Sequence, residues 1–196
     1  MNRIVRSILV AVLALPAFAF AAETWNLDVP HTLSSFTVKH LMISTVRGEF
    51  ARTEGKILLD EADITRSSVE ASIDVGSITT RDEKRDVHLK SPDFFDAARF
   101  PKMTFKSTKV EKAGEGLTVT GDLTLRGVTK QVVLHVTGPT QEIKDPWGLS
   151  RRGLSASTRI NRKDFGVSYG PEAVLSDAVN ITIDAEMVKE APPAKK

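Results

Sequence analysis

The sequence contains no cysteine, and this absence excludes several kinds of protein at once. Without a thiol, the chain can form neither a disulfide nor a thiolate metal site, and it can carry neither a catalytic cysteine nor the lipid anchor of a bacterial lipoprotein. The folded state must therefore be stabilised by its apolar core. With 196 residues, the chain is long enough to form one domain with a sizeable core.

Recognisable catalytic and metal-binding motifs are also missing. No serine lies in a G-x-S-x-G motif, and the accessory motifs of penicillin-recognising enzymes are absent. The histidines occur in neither an H-x-H nor an H-E-x-x-H pattern; they are His31, His40, His88 and His135. A catalytic triad could still form from residues distant in sequence, because triads are defined by geometry. The sequence itself predicts no catalytic residue, no metal site and no cofactor.

A long hydrophobic run occurs only at the N-terminus. Arg3 and Arg6 form a basic segment, residues 8–20 are apolar, and Ala19-Phe20-Ala21 fits an A-x-A cleavage site. The apolar run is too short for a membrane-spanning helix. We predict that residues 1–21 are a cleaved secretory signal peptide, with an uncleaved anchor as the alternative.

Cleavage at that site changes the charge balance of the chain. The full sequence has 27 Lys and Arg against 25 Asp and Glu, and two of the arginines lie in the predicted signal peptide. The exported chain is therefore formally neutral. A neutral chain lacks the basic surface on which nucleic-acid binding depends, so we expect no nucleic-acid partner.

The exported part of the chain is dominated by short runs in which apolar and polar residues alternate. This pattern predicts an all-β sandwich or barrel, and the alternation does not distinguish between them. Pro30 is predicted to end the first strand. Small residues on the apolar faces favour a barrel with an internal cavity, although a densely packed core is the alternative; they are Gly48, Ala71, Gly121 and Ala156.

One stretch concentrates aromatic residues. Four of the nine phenylalanines lie within twelve positions, between residues 94 and 105. They follow a charged segment, residues 81–89, which is predicted to be a short helix that ends before Pro92. After Pro101, apolar and polar residues alternate as in a half-buried strand. These features predict an apolar chamber next to a sheet.

Three segments of the chain resemble one bacterial family. They are HTLSSFTVKHLMISTVRGEF (31–50), RDVHLKSPDFFDAARFPKMTFKST (85–108) and GDLTLRGVTKQVVLHV (121–136). All three are similar to the YceI-like family of periplasmic polyisoprenoid-binding proteins, and the similarity extends from Trp25 to Met187. The resemblance implies an antiparallel, lipocalin-like, eight-stranded β-barrel with a short helical insertion near residues 81–100. It also implies a periplasmic location and a bound isoprenoid lipid of the polyprenyl or quinone type.

Aromatic content and strand phase select the residues that we expect to line the ligand site. The candidates are Phe36, Val38, His40, Phe50, Ile73, Phe94, Phe95, Phe100, Met103, Phe105, Leu123 and Phe165. His40 is in phase with Phe36 and Val38, so it is predicted to face inward, either as a hydrogen-bonded core histidine or as a polar contact for the ligand.

Two further segments also lead to predictions. The loop at 138–153 is long for a compact domain, and such loops often border a binding site. In the stretch 161–169, Arg162 is predicted to pair with Asp164, and the single tyrosine, Tyr169, is not expected to form part of an aromatic cluster.

The sequence therefore predicts one lipid-binding domain, residues 22–188, followed by a polar tail, residues 189–196. Its predicted function is to bind or carry a long isoprenoid lipid in the periplasm, without a membrane span of its own. An enzyme that acts on a lipid in the same barrel is the first alternative, and a solid-cored interaction domain is the second. Either a monomer or a homodimer is compatible with all three.

Overall fold

The computed structural model describes residues 22–191, so the predicted signal peptide and the last five residues lie outside the described part of the chain. Eleven strands and one α-helix form this part. The strands are β1 (Glu23–His40), β2 (Ser44–Phe50), β3 (Thr53–Leu59), β4 (Ser68–Asp74), β5 (Ile78–Thr79), β6 (Lys102–Ala113), β7 (Gly116–Leu125), β8 (Val128–Thr137), β9 (Ile143–Lys144), β10 (Ser150–Asn161) and β11 (Leu175–Lys189). The helix, α1, is Glu83–Lys90. Strand β11 thus runs one residue past the predicted domain end.

The long strands form a closed antiparallel barrel. Their order around the barrel is β1, β3, β4, β6, β7, β8, β10 and β11, and β11 pairs with β1 to close the ring. Strand β2 pairs with the second half of β1, so β2 and β3 together act as one long strand beside it. Closure leaves no free edge in the ring. The predicted eight-stranded barrel is confirmed.

Strand β1 is continuous through Pro30, contrary to the prediction that this proline ends the first strand. Leu27 lies opposite Met187 and Thr32 lies opposite Ala185, so β1 contains a bulge between Leu27 and Thr32. A bulge tolerates a residue without an amide hydrogen, because its extra residues are unpaired. The bulge also changes the inward phase from odd residues, such as Trp25, to even residues.

Two glycines of the barrel wall allow aromatic rings to lie flat against it. A Cβ atom at Gly48 would overlap the ring of Phe36, and one at Gly121 would overlap the ring of Phe105. The space beside these glycines is therefore taken by protein rings. Ala71 and Ala156 do border the open interior.

Helix α1 and the turns after it form the helical insertion predicted near residues 81–100. The carboxylate of Asp82 caps α1 by accepting a hydrogen bond from the Arg85 amide at 3.0 Å. The helix ends at Lys90, and Ser91 caps its C-terminus directly before Pro92. In the turns that follow, Phe94 is buried and Phe95 packs against the core. No helix among residues 22–191 is both long and apolar enough to span a membrane.

The apolar side chains form two clusters at different heights in the barrel. The smaller cluster surrounds Trp25, which is completely buried, and includes Ile57, Leu59 and Met187. The larger cluster lies toward α1 and contains Phe50, Val75, Ile78, Phe94, Met103, Leu125, Ile160, Phe165 and Val167. The clusters do not fill the interior between them.

Candidate functional site

A cavity of about 500 Å³ lies inside the barrel. Each of the eight strands of the ring contributes side chains to its wall, and most of the lining residues are Val, Leu, Ile, Phe, Met or Ala. Cavities of this size and character typically hold an apolar small molecule. The interior is therefore not a solid core.

One end of the cavity is closed by the cluster around Trp25. Ile57, Leu59 and Met187 belong both to that cluster and to the cavity wall. Outside this closed end, the Arg151 guanidinium binds the carboxylates of Asp28, Asp145 at 2.7 Å and Glu186 at 3.2 Å. These ion pairs tie the 138–149 loop to β1 and β11.

The Arg151 guanidinium also changes the ionisation of its partners. Its hydrogen bond to Asp145 lowers the pKa of that carboxyl group, and its hydrogen bond to Asp28 lowers the pKa there as well. The pKa of Arg151 is in turn raised by Asp145 and Asp28. Asp28, His31 and Glu186 could together approach a metal ion, but Arg151 already supplies the positive charge between Asp28 and Glu186.

The cavity opens at the other end, where its wall contains solvent-exposed residues. His40 ends β1, Arg85 belongs to α1, and Tyr169 and Val174 belong to the loop between residues 166 and 174. Among residues 22–191, the only other exposed residue of the wall is Thr104 on β6. The end of β1, helix α1 and the 166–174 loop therefore frame an opening, which we call the mouth.

An aromatic group lies at the mouth. The His88 ring is 5.0 Å from the Phe94 ring and 4.9 Å from the Tyr169 ring, and both contacts are edge-on. Phe94 and Tyr169 are themselves 5.0 Å apart. The Asp93 carboxylate holds His88 through a 2.9 Å contact with Nε2. The expectation that Tyr169 stands outside any aromatic cluster was wrong, because its partners come from a distant part of the chain.

Arg162 fixes the loop that carries Tyr169. Its guanidinium is buried and donates hydrogen bonds of 2.8–3.1 Å to five backbone carbonyls and one carboxylate. The carbonyls are those of Val167, Tyr169, Gly170, Leu175 and Ser176, and the carboxylate is that of Asp177. The predicted pairing with Asp164 is thus incorrect, since Asp177 takes that place. The sequence does not indicate that Arg162 is buried or that it binds Asp177, because a buried arginine can be recognised only from the groups that it contacts in the structure.

The structure brings ten of the twelve candidate residues together in the cavity wall. They are Phe36, Val38, His40, Phe50, Ile73, Phe94, Phe95, Met103, Phe105 and Leu123. Their contact with a ligand stays a prediction. The strand residues among them were placed correctly because their alternation specifies one inward face.

Phe100 and Phe165 do not line the cavity, contrary to expectation. The Phe100 ring packs beside Gly127, below the Arg99 guanidinium. Phe165 is only 2% exposed and packs inside the larger apolar cluster. Phe100 follows a turn and Phe165 ends a short 3-10 helix, Arg162–Phe165, so no strand phase indicates the direction of either side chain.

His40 and the long loop also differ from expectation. His40 lines the cavity but is exposed at the mouth, so it is not a buried core histidine. The 138–149 loop lies at the closed end, because β8 runs toward that end and β10 returns from it. Sequence reasoning missed Arg85, His88 and Tyr169 as residues of the wall. Counting strand directions would have separated the two ends, because alternate loops of such a barrel lie at opposite ends.

The chain is similar to known proteins over most of its length. Residues 25–187 match the YceI-like domain family. A UPF0312 protein of Photorhabdus laumondii is 38% identical over 182 residues, which cover 91% of this chain and 93% of the relative. The structure of the Campylobacter jejuni YCEI protein has a TM-score of 0.70 and 34% identity, and the match covers 78% of this chain and 90% of that protein.

A more distant structure shares the fold. A polyisoprenoid binding domain from Saccharophagus degradans has a TM-score of 0.65 and 17% identity, with 87% of this chain and all of that domain covered. At this identity the likeness shows the fold alone. The family match and the 38% identical relative are sufficient for assignment: the chain belongs to the YceI-like family.

Proposed function

We propose that the protein binds and carries a long isoprenoid lipid, of the polyprenyl or isoprenoid quinone type, in the periplasm. The observation that carries this proposal is the apolar cavity, which is closed at the Trp25 end and open at the mouth. The Saccharophagus degradans polyisoprenoid binding domain has the same fold, and the proposal extends its ligand class to this chain.

The shape of the cavity suits a long chain. Its wall extends from Ile64 and Pro139, near the closed end, to His40 and Tyr169 at the mouth. Burial of an apolar tail along this wall contributes about 25 cal/mol per Å² of apolar surface removed from water. Because the barrel is already formed around the cavity, little reorganisation opposes binding.

The polar groups of the cavity fit a ligand with one polar end. The ionisable side chains His40, Arg85 and His88 lie at the mouth, where a head group would stay in contact with water. Deeper in the wall, Thr53 donates a 2.8 Å hydrogen bond to Ser34, so these hydroxyls satisfy each other. The apolar tail would therefore lie inside and the head group at the mouth.

The enzyme alternative gains no specific support from these groups. Two histidine–carboxylate pairs occur among the described residues, His31 with Asp28 and His88 with Asp93. Within residues 22–191, neither imidazole is hydrogen-bonded to a serine or threonine hydroxyl. Binding is thus the activity that the geometry supports best.

Filling the cavity tests the proposal. Ala156 is 5% exposed and lines the cavity, whereas the neighbouring Ser157 is exposed on the outer face. We expect Ala156→Phe to abolish uptake of an added isoprenoid quinone, measured by mass spectrometry of the repurified protein, and Ser157→Phe to bind it normally. Equal uptake by both folded variants would show that the cavity is not the lipid site.

The mouth can be tested separately with His40→Leu. If His40 contacts the head group, this variant should bind a quinone several-fold more weakly and bind a hydrocarbon of matching length unchanged. His135→Leu is the control, because His135 is exposed on β8 outside the cavity. Equal weakening for both ligands would remove His40 from the head-group site.

A further inference from the structure

One group of exposed apolar side chains lies at the mouth, although others lie elsewhere on the surface. Ile43 is 83% exposed, and Met42 and Leu41 are about half exposed. These three residues connect β1 to β2 at the tip of a hairpin. The Leu41 amide donates a 2.8 Å hydrogen bond to the Val174 carbonyl, so the hairpin tip adjoins the 166–174 loop. We call Leu41, Met42, Ile43, Tyr169 and Val174 the mouth rim.

The backbone conformation at the tip of the hairpin is unfavourable for the large apolar side chains that the tip carries. Leu41 has φ of 50° and Met42 has φ of 58°, in the left-handed region where hairpin turns favour Asn and Gly. A turn whose only role is to connect two strands would be better served by those polar or small residues. Large apolar side chains at such a place indicate contact with something outside the barrel.

Basic side chains accompany the rim. Six lysines and arginines of the hairpin and of the segment 81–90 form no ion pair among the described residues: Lys39, Arg47, Arg81, Lys84, Arg85 and Lys90. Several acids nearby are occupied, since Asp82 caps α1 and Asp93 contacts His88. By the same criterion, five acids of these segments and of the 166–174 loop form no ion pair among the described residues: Glu49, Asp82, Glu83, Asp86 and Glu172. Asp86, like Asp82, is engaged in hydrogen bonds, which it accepts from Thr80. The cations without an ion pair therefore exceed the acids by one.

We infer that the mouth rim docks on a bilayer that contains anionic phospholipid, with the tip at Leu41–Ile43 entering the interfacial layer. Apolar side chains that enter the interface and basic side chains that face anionic head groups are the two contributions that hold a protein on such a surface. Docking there would place the mouth against the membrane, so that a ligand could pass between bilayer and cavity without crossing water.

Flotation with lipid vesicles tests this inference. Protein expressed from the full 196-residue sequence and purified without detergent is mixed with vesicles of phosphatidylcholine, with or without phosphatidylglycerol. We expect binding to the vesicles that contain phosphatidylglycerol and weaker binding at high salt, since about 1 M salt screens charges beyond about 3 Å. No binding to either vesicle would overturn the inference.

The chain supplies a matched control for the tip. Ile43→Asp should weaken vesicle binding about tenfold or more, since an inserted isoleucine is replaced by a charge. Ile143, on β9 at the closed end, is 61% exposed, so Ile143→Asp makes the same exchange away from the mouth and should bind as the unchanged protein does. Equal weakening by the two variants would contradict docking through the mouth.

A corresponding pair tests the charges. Removing one cation near an anionic surface should weaken binding roughly fivefold, so Lys84→Gln should lower vesicle binding by that factor. Lys112→Gln, at the closed end of β6, should leave vesicle binding unchanged.

Sedimentation tests whether the rim contacts a second copy of the chain instead. If the unchanged protein forms a dimer and does not bind vesicles, and Ile43→Asp loses the dimer, the rim is a contact between copies and the inference is overturned.

The two proposals fail separately. Vesicle binding is measured without added ligand, and ligand uptake is measured without vesicles. A protein that takes up quinone but ignores vesicles would retain the proposed carrier function and lose the docking surface.

Discussion

Charged side chains are used differently at the two ends of the barrel. At the closed end they bind one another: Arg151 joins three carboxylates, and Lys189 contacts Glu23 at 2.6 Å and Glu142 at 3.4 Å. At the mouth, Arg162 binds five backbone carbonyls and Arg126 binds those of Pro92 and Gly166. The first arrangement joins neighbouring strands and a loop, whereas the second fixes loops around an opening.

Two aromatic side chains, one at each end, also differ in their burial. Trp25 is fully buried at the closed end, while Tyr169 is about half exposed at the mouth. Side chains that close the barrel contribute to stability through burial, and side chains that border an opening remain partly in water. We therefore expect substitutions at the closed end to change stability, and substitutions at the mouth to change access to the cavity.

Replacing Trp25 should have the largest effect on stability. Trp25→Ala removes the largest fully buried side chain and the ring that Arg152 and Lys189 face, so we expect a loss of about 3–5 kcal/mol. Tyr169→Ala should cost less than about 1 kcal/mol, because half of that side chain is already exposed. Urea unfolding measures both, and equal losses would contradict the assigned difference between the ends.

Replacing Arg162 should destabilise the loop at the mouth more than the strands of the barrel. Arg162→Met leaves five carbonyls without their donor, and we expect a loss of about 3 kcal/mol. Hydrogen exchange should accelerate most for the amides of residues 166–174. If exchange instead accelerated evenly around the barrel, Arg162 would be a general core residue and not the anchor of the mouth loop.

Low pH should weaken the ion pairs that Arg151 forms at the closed end. The pKa values of Asp145 and Asp28 are lowered in the folded state by their hydrogen bonds to Arg151. Their ionised forms therefore stabilise the fold at neutral pH, and this stabilisation is lost as the pH falls below about 4 toward the lowered values. Arg151→Met should be less stable than the unchanged protein at pH 7, and the difference should shrink near pH 3. A constant difference across this range would mean that Arg151 acts by packing alone.

The sequence predicted the barrel wall better than its ends. Alternation along β6 and β11 fixed the inward face, because a strand that is half buried repeats every two residues. Phe100 and Phe165 were misplaced because they lie outside the strands, after a turn and at the end of a 3-10 helix, where that repeat is absent. The bulge in β1 was missed because Pro30 is compatible with either the end of a strand or an interruption within it.

The contacts of the mouth could not be predicted in the same way. The rings of His88, Phe94 and Tyr169 are in contact although up to 81 positions separate them in the sequence. The hydrogen bonds of the Arg162 guanidinium go to backbone carbonyls, which every residue has, so no residue type indicates these partners. Such contacts depend on how two loops approach each other after the barrel has closed. Residue identity alone therefore indicates the wall of the cavity but not the frame of its opening.

The central claim is that the cavity holds a long isoprenoid lipid. Its most direct test is mass spectrometry of organic extracts from the protein, purified from its own cells without detergent. The account predicts one prenyl lipid or isoprenoid quinone for each barrel. A protein that yields no such lipid, and that also fails to take up added prenyl lipids and quinones, would contradict it.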